Sequence, residues 1–185
     1  RALLTALTAS LEQSRHANVY SRARLAGVLK RMGKPADVAV SEPLGVEVAE
    51  REGIRAIVAC SITRAGQQYA LTARLIDPRR QLTVNSFTER ALSENDILDA
   101  LESLARSLRR NLGESFYSIS QANRPLPRVT TSSLDALRAY SDAGAAWRRG
   151  KYDEGLAGWR RAVELDPEFA LAHAELGSAL ASHVV

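Results

Sequence analysis

The feature that most constrains the fold is a set of small, aromatic and turn-forming residues at fixed intervals across residues 136–167. Gly150 is suited to a tight turn, and Tyr152 follows where a second helix can begin. Trp159 and Ala162, three residues apart, present a large and a small side chain on one helical face. The proline at the end of the interval stops the second helix. This spacing predicts two antiparallel helices joined by a short turn.

The layout resembles the tetratricopeptide repeat (TPR), a helix-turn-helix unit of roughly 34 residues. Leu165-Asp166-Pro167 is the usual ending of such a unit, and Leu176-Gly177 falls where the next unit carries Leu-Gly. Two positions depart from the pattern, because Asp142-Ala143 replaces the first Leu-Gly pair and Gly155 lowers helicity by about 1 kcal/mol relative to Ala. A repeat array needs about three units to bury its faces, so we expect the array to continue beyond Val185.

Three helices are predicted in the first part of the chain. Apolar residues at helical spacing indicate the first over residues 2–13, and a short strand is expected over 18–20. The second and third helices, over 21–33 and 41–53, each begin at a serine and end at a glycine.

The period then changes from helical to alternating, which predicts three strands. The runs cover residues 54–63, 68–77 and 82–89. The breaks between them are short enough for hairpin turns, so an antiparallel meander is expected. A capping box of Ser93 and Asp96 opens a long amphipathic helix that ends at Gly113 and should cover one sheet face. The predicted core comprises Ile57, Ile62, Leu71, Leu75, Leu101 and Leu108.

Together these elements predict an α+β domain over residues 1–113, in the order helix, strand, helix, helix, three-stranded antiparallel meander, helix. A linker follows over residues 114–133, where Arg124-Pro125-Leu126-Pro127 interrupts any helix and favours extended backbone. The all-α TPR helical-hairpin segment occupies residues 134–185, with one full repeat and the first helix of the next.

The segment from Pro125 to Tyr140 resembles a junction in large bacterial signalling proteins. These are Ser/Thr kinases, class III adenylate and guanylate cyclases of peptide modification systems, and winged-helix regulators. Residues 10–19 and 51–57 match the α/β domain of that group, which is also similar to the amino-terminal domain of TolB, although the first strand of TolB is missing. The resemblance implies a non-catalytic interaction and sensor module beside a catalytic domain, on the periplasmic side of a membrane-anchored protein, with the cytoplasm as the alternative.

No arrangement of residues indicates catalysis, a cofactor site or a metal site. Gly27, Gly33 and Lys34 suggest a phosphate loop, but the interval is one residue too long and a proline replaces the hydroxyl residue. Cys60 lies within an apolar strand, where a thiol packs as a small hydrophobe. The histidines have no second ligand at metal spacing: His16, His173 and His183. The fragment is therefore not expected to be an enzyme.

The charge of the chain bears on an alternative function, which is the binding of nucleic acid. The chain has 25 Lys and Arg against 21 Asp and Glu, a net charge of +4. These basic residues are scattered among carboxylates, which disfavours nucleic acid as a partner. A nucleic-acid-binding accessory domain of a transcriptional regulator remains the alternative function. No apolar run is long enough for a membrane span, so no membrane insertion by this fragment is expected.

The TPR resemblance implies a groove that binds a protein or peptide partner, with self-association as a further option. The first helix of each unit lines that groove. The implied partner-binding residues are Leu137, Tyr140, Gly144, Trp147, Arg148, Leu171 and Glu175. Tyr140 and Trp147 are the expected anchors, and Arg148 the donor to a carboxylate or peptide carbonyl. The alternative for Trp147 is packing against the next helix or the linker.

Overall fold

The computed structural model describes residues 2–14, 16–35, 38–115, 119 and 130–183. In these ranges it contains seven α-helices and three strands. The helices are α1 (Ala2–Glu12), α2 (Arg22–Arg31), α3 (Glu42–Glu52), α4 (Ile97–Asn111), α5 (Leu134–Arg148), α6 (Tyr152–Leu165) and α7 (Ala170–His183). The strands are β1 (Ile57–Ala65), β2 (Gln68–Asp77) and β3 (Leu82–Ala91). None of the described helices has the length and apolar character needed to cross a bilayer.

The chain divides into two compact units. The first, called the helical unit, is drawn from Arg1–Arg15 and Glu114–Val185 and contains α1, α5, α6 and α7. The second, called the α/β unit, is His16–Gly113 and contains the sheet with α2, α3 and α4. The chain therefore enters the helical unit, leaves it for the α/β unit, and returns.

The sheet has the predicted antiparallel meander, with strand order β1-β2-β3. Ile62 lies opposite Leu71 in the β1–β2 register, and the β2–β3 register shifts between Leu75 and Ile76. The turns at either end of β2 use left-handed backbone, at Gly66 with φ 63° and at Gln81 with φ 53°. Short connections of this kind allow neighbouring strands to pair directly.

The core of the α/β unit lies between α4 and the two strands it contacts, β2 and β3. Four predicted core residues are buried there, namely Leu71, Leu75, Leu101 and Leu108. Ile57 is only partly buried. The prediction for Ile62 is wrong, since 43% of this residue is exposed. The reason is that β1 is an edge strand, beyond the area that α4 covers.

Local signals correctly predict where α2 and α3 end. Ser21 Oγ accepts a hydrogen bond from the Arg24 amide at 3.3 Å, and Gly33 takes φ 69° just after α2. Gly53 closes α3 with φ 65°. The predicted capping box is also present, because Asp96 Oδ2 accepts from the Ser93 amide at 2.9 Å. It opens a short 3₁₀ turn that leads into α4.

Two parts of the predicted organisation differ from the structure. Residues 18–20 form no strand, so the expected short strand is wrong, and β1 pairs with β2 alone among the described strands. The first helix was expected in the 1–113 domain, but α1 packs on α5. Its buried stripe of Ala6, Leu7 and Leu11 needs an apolar partner, and the helical unit provides it. The proline-containing part of the predicted linker lies outside the described residues.

Candidate functional site

The start of α5 is tied to the end of α6 by a short polar network. Ser133 Oγ accepts from the Ala136 amide at 3.1 Å, which caps α5. Thr131 Oγ1 accepts from the Ser133 amide at 2.9 Å and donates to Asp166 Oδ2 at 2.5 Å. Thr131 is fully buried, so these bonds satisfy a hydroxyl that has no access to water. The network fixes where the hairpin of α5 and α6 begins and ends.

Two glycines of α6 allow that helix to lie close to α5. A Cβ added at Gly158 would lie 2.7 Å from the Cβ of Ala143, closer than real side chains approach. A Cβ added at Gly155 would lie 3.1 Å from the Trp147 ring. Gly150, with φ 78°, forms the turn between the two helices. The low helix propensity of Gly155 and Gly158 is therefore offset by close packing.

Aromatic rings pack together near the turn end of this hairpin. The Trp147 ring centroid lies 4.8 Å from that of Tyr152 in an edge-to-face arrangement and 5.3 Å from that of Trp159. Such offset contacts are favourable for π systems. Trp159 is buried, and its Nε1 has no hydrogen-bond partner. Trp147 thus adopts the packing alternative, and only part of its surface is exposed.

The other predicted partner-binding residues differ in their access to solvent. Leu137 has no exposed surface, so its prediction as a groove residue is wrong. It is buried because it lies one turn before Ser141, on a face of α5 that packs into the unit. Gly144 and Leu171 are partly buried, whereas Arg148 and Glu175 are exposed.

Charged residues of three helices influence the pKa of the Tyr140 side chain. Its ring centroid is 5.0 Å from that of Phe169, which precedes α7. Burial raises the pKa of the Tyr140 phenol to about 12, and the charge of Glu175 on α7 acts in the same direction. Arg148 on α5 opposes them, and Glu12 on α1 adds to the increase in pKa. The structure therefore brings Tyr140, Arg148 and Glu175 into one electrostatic environment.

Glu12 belongs to that environment but was not predicted. It lies at the end of α1, in the part of the sequence assigned to the other domain. Only the packing of α1 on α5, with Thr5 Oγ1 at 3.2 Å from Ser141 Oγ, places the two segments together. No spacing rule within the sequence contains this information.

The remaining candidates lie in the α/β unit. Cys60 is an exposed residue of β1, yet desolvation by the surrounding protein atoms raises its thiol pKa to about 11. The thiol form therefore predominates at neutral pH. The Lys34 amide donates to Leu29 O at 2.9 Å and so closes α2 rather than forming a phosphate loop. Among the described residues no group of three side chains is arranged to hold a metal ion.

A polar cluster links α2 and α3 on the surface of the α/β unit. Glu52 Oε2 accepts from the Tyr20 hydroxyl at 2.8 Å, and Glu52 Oε1 accepts from Arg31 at 2.9 Å. The hydrogen bond from Tyr20 lowers the pKa of Glu52, and Arg31 contributes in the same direction. Because these groups are open to solvent, the cluster is an ordinary surface network of small energetic weight.

Comparison of the chain with models of protein families, with curated proteins and with solved structures found no match.

Proposed function

We propose that this chain is a non-catalytic interaction and sensor module of a larger bacterial signalling protein. In this proposal the helical unit binds a protein or peptide partner at a surface formed by α5 and α7. The α/β unit serves as the accompanying sensor domain. The assignment to signalling proteins rests on the sequence resemblance of the junction before α5.

The geometry of the α5–α6 hairpin supports a TPR-like reading of the helical unit. Small residues allow close helix contact, with Gly155 of α6 against Ala143 O of α5. Trp159 and Ala162 are buried in the interhelical space. The TPR pattern requires small residues and a large aromatic residue where its two helices meet, and these residues meet that requirement.

The observation that carries the proposal is the exposure of polar and aromatic groups around Tyr140. Arg148 and Glu175 are exposed on α5 and α7, and Tyr140 is partly exposed. A tyrosine with a polar edge and an arginine are the residue types most often found at the centre of protein interfaces. Trp147 contributes less, because its ring is already packed on Tyr152 and Trp159.

The test is a selection of peptides from a displayed random library on the full chain. Selected peptides are then titrated against the wild type, Arg148→Glu and Tyr140→Ala. We expect each substitution to weaken binding at least about tenfold, as for hot-spot residues. Arg161→Glu is the matched control, since Arg161 is also an exposed arginine and lies on α6 with a surface ion pair to Glu164 at 3.1 Å.

Circular dichroism of every variant establishes that it is folded before affinities are compared. If the selected peptides bind Arg148→Glu and Tyr140→Ala as tightly as they bind the wild type, the interaction site does not lie on this surface. Equal losses in Arg148→Glu and Arg161→Glu would indicate a general charge effect rather than a site.

A further inference from the structure

Along the chain, the α/β unit separates α1 from the other helices of the helical unit. The α/β unit is an insertion, because α1 precedes it and α5, α6 and α7 follow it within one helical unit. At the base of the insertion Ser14 Oγ donates to Glu114 Oε2 at 2.6 Å, and both residues are buried. We call this hydrogen bond the neck. A change that separates the two ends of the insertion must act on the neck or on α1.

The docking of α1 contains an element that weakens it. Ser10 is 1% exposed in the last turn of α1, and its Oγ has no hydrogen-bond partner. A buried hydroxyl without a partner loses its bonds to water and gains nothing in return. An alanine at this position would keep the helix and avoid that cost.

The helix itself is poorly suited to exist alone. Its last turn carries no basic residue. Glu12 at the carboxyl end also opposes the helix dipole. Once α1 leaves α5 it has little to hold it folded, so undocking is a discrete local event.

The surface that α1 covers adjoins Tyr140. Thr5 Oγ1 lies 3.2 Å from Ser141 Oγ, on the residue that follows Tyr140 in α5. Glu12 places a negative charge in the surroundings of the Tyr140 phenol. Departure of α1 would remove that charge and uncover Ser141.

We propose that α1 is a releasable helix that closes over α5, and that its release switches the surface around Tyr140 between two states. The neck holds the carboxyl-terminal end of α1 to the segment that follows the α/β unit. The regulatory part of this inference rests on the proposed function, whereas the release of α1 does not.

Hydrogen–deuterium exchange on the full chain tests the release. We expect the amides of α1 to exchange at least about tenfold faster than those of α5, as for local opening. Ser10→Ala should slow exchange in α1 about tenfold by removing the unpaired hydroxyl. Glu114→Ala should accelerate it. Leu4→Ala is the control within the same helix, because Leu4 is 44% exposed and we expect its replacement to change exchange much less than Ser10→Ala does.

A reversible cross-link provides the second measurement. T5C and S141C, introduced together with C60S, place two thiols where side-chain oxygens are 3.2 Å apart. The oxidised form should reduce α1 exchange to the level of α5, and reduction should restore it. Peptides selected on the wild type should then differ at least about fivefold in affinity between the two forms, a coupling of ordinary allosteric size.

The outcomes separate the two proposals. Equal amide exchange rates of α1 and α5 in the wild type overturn the release of α1, and so does an unchanged rate in Ser10→Ala. Both conclusions hold whatever the peptide affinities are. Equal peptide affinity in the oxidised and reduced forms overturns the regulatory role alone. Absence of any selected peptide overturns the proposed function and leaves the exchange result standing.

Discussion

Replacing Gly158 by alanine tests the close approach of α5 and α6. The added Cβ would lie 2.7 Å from Ala143 Cβ and 3.2 Å from Ala143 Cα. Favourable carbon–carbon contacts lie at about 3.5–4.0 Å, so the two helices must move apart. The clashing atoms belong to the backbone and a methyl group, which cannot rotate away. Overpacking of this kind costs about 1–3 kcal/mol.

Helix propensity acts in the opposite direction. Alanine is favoured over glycine inside a helix by about 0.8–1.0 kcal/mol. Gly177→Ala in α7 measures the effect of helix propensity alone, because a Cβ there has no neighbour within 4 Å. We expect Gly177→Ala to stabilise by about 1 kcal/mol. Gly158→Ala should be less stable than Gly177→Ala by about 1–3 kcal/mol, which is the cost of the contact.

The assay is denaturant unfolding followed by tryptophan fluorescence. The chain has two tryptophans, Trp147 and Trp159, so the signal reports on the helical unit alone. Ala143→Gly should cost less in the Gly158→Ala background than in the wild type, because it removes the methyl group that clashes. Equal stability of Gly158→Ala and Gly177→Ala would refute the close approach.

Three further predictions concern other parts of the chain. Leu108→Ala, at a fully buried position of α4, should destabilise the α/β unit by about 2–5 kcal/mol in thermal unfolding followed by circular dichroism. Ile62→Ala, at the exposed edge, should cost well under half as much, and equal costs would contradict the core described above. Thr131→Val should lower the free energy of unfolding by about 1–3 kcal/mol in fluorescence-detected unfolding, since it leaves the Ser133 amide without its acceptor. An unchanged unfolding midpoint would show that the polar network does not stabilise the hairpin. Because its pKa rises from 9.0 to about 11, Cys60 should have about a hundredfold less thiolate at neutral pH than an ordinary thiol, and its alkylation rate should keep rising with pH beyond 9. A rate that levels off near pH 9 would contradict that shift.

The ends of α2 and α3 could be predicted because their signals are local, whereas β1 begins three residues later than the predicted 54–63. A serine at the start of α2 and left-handed glycines after α2 and α3 act within a few residues. The meander followed from short breaks between alternating runs in the same way. Exposure of Ile62 could not be predicted, since it depends on which strands α4 covers.

Long-range packing also explains what was missed in the candidate site. The sequence of α1 carries no signal for the unit that it joins, and α1 packs on α5, which begins at Leu134. The influence of Glu12 on the pKa of Tyr140 follows from this packing of α1. Leu137 and Tyr140 lie three residues apart and were both predicted to line the groove, yet only the packing of α5 decides that one is buried.

The three-stranded sheet leaves both outer strands open to further pairing within the described residues. β1 carries exposed Ile62 and β3 carries exposed Val84, so each edge offers backbone hydrogen-bonding groups beside apolar side chains. Such edges favour pairing between molecules. Arg64 near the end of β1 and the irregular pairing of β3 near Val84 are features that oppose it. Substitutions that remove the charge of Arg64 should therefore lower the protein concentration at which the chain begins to aggregate.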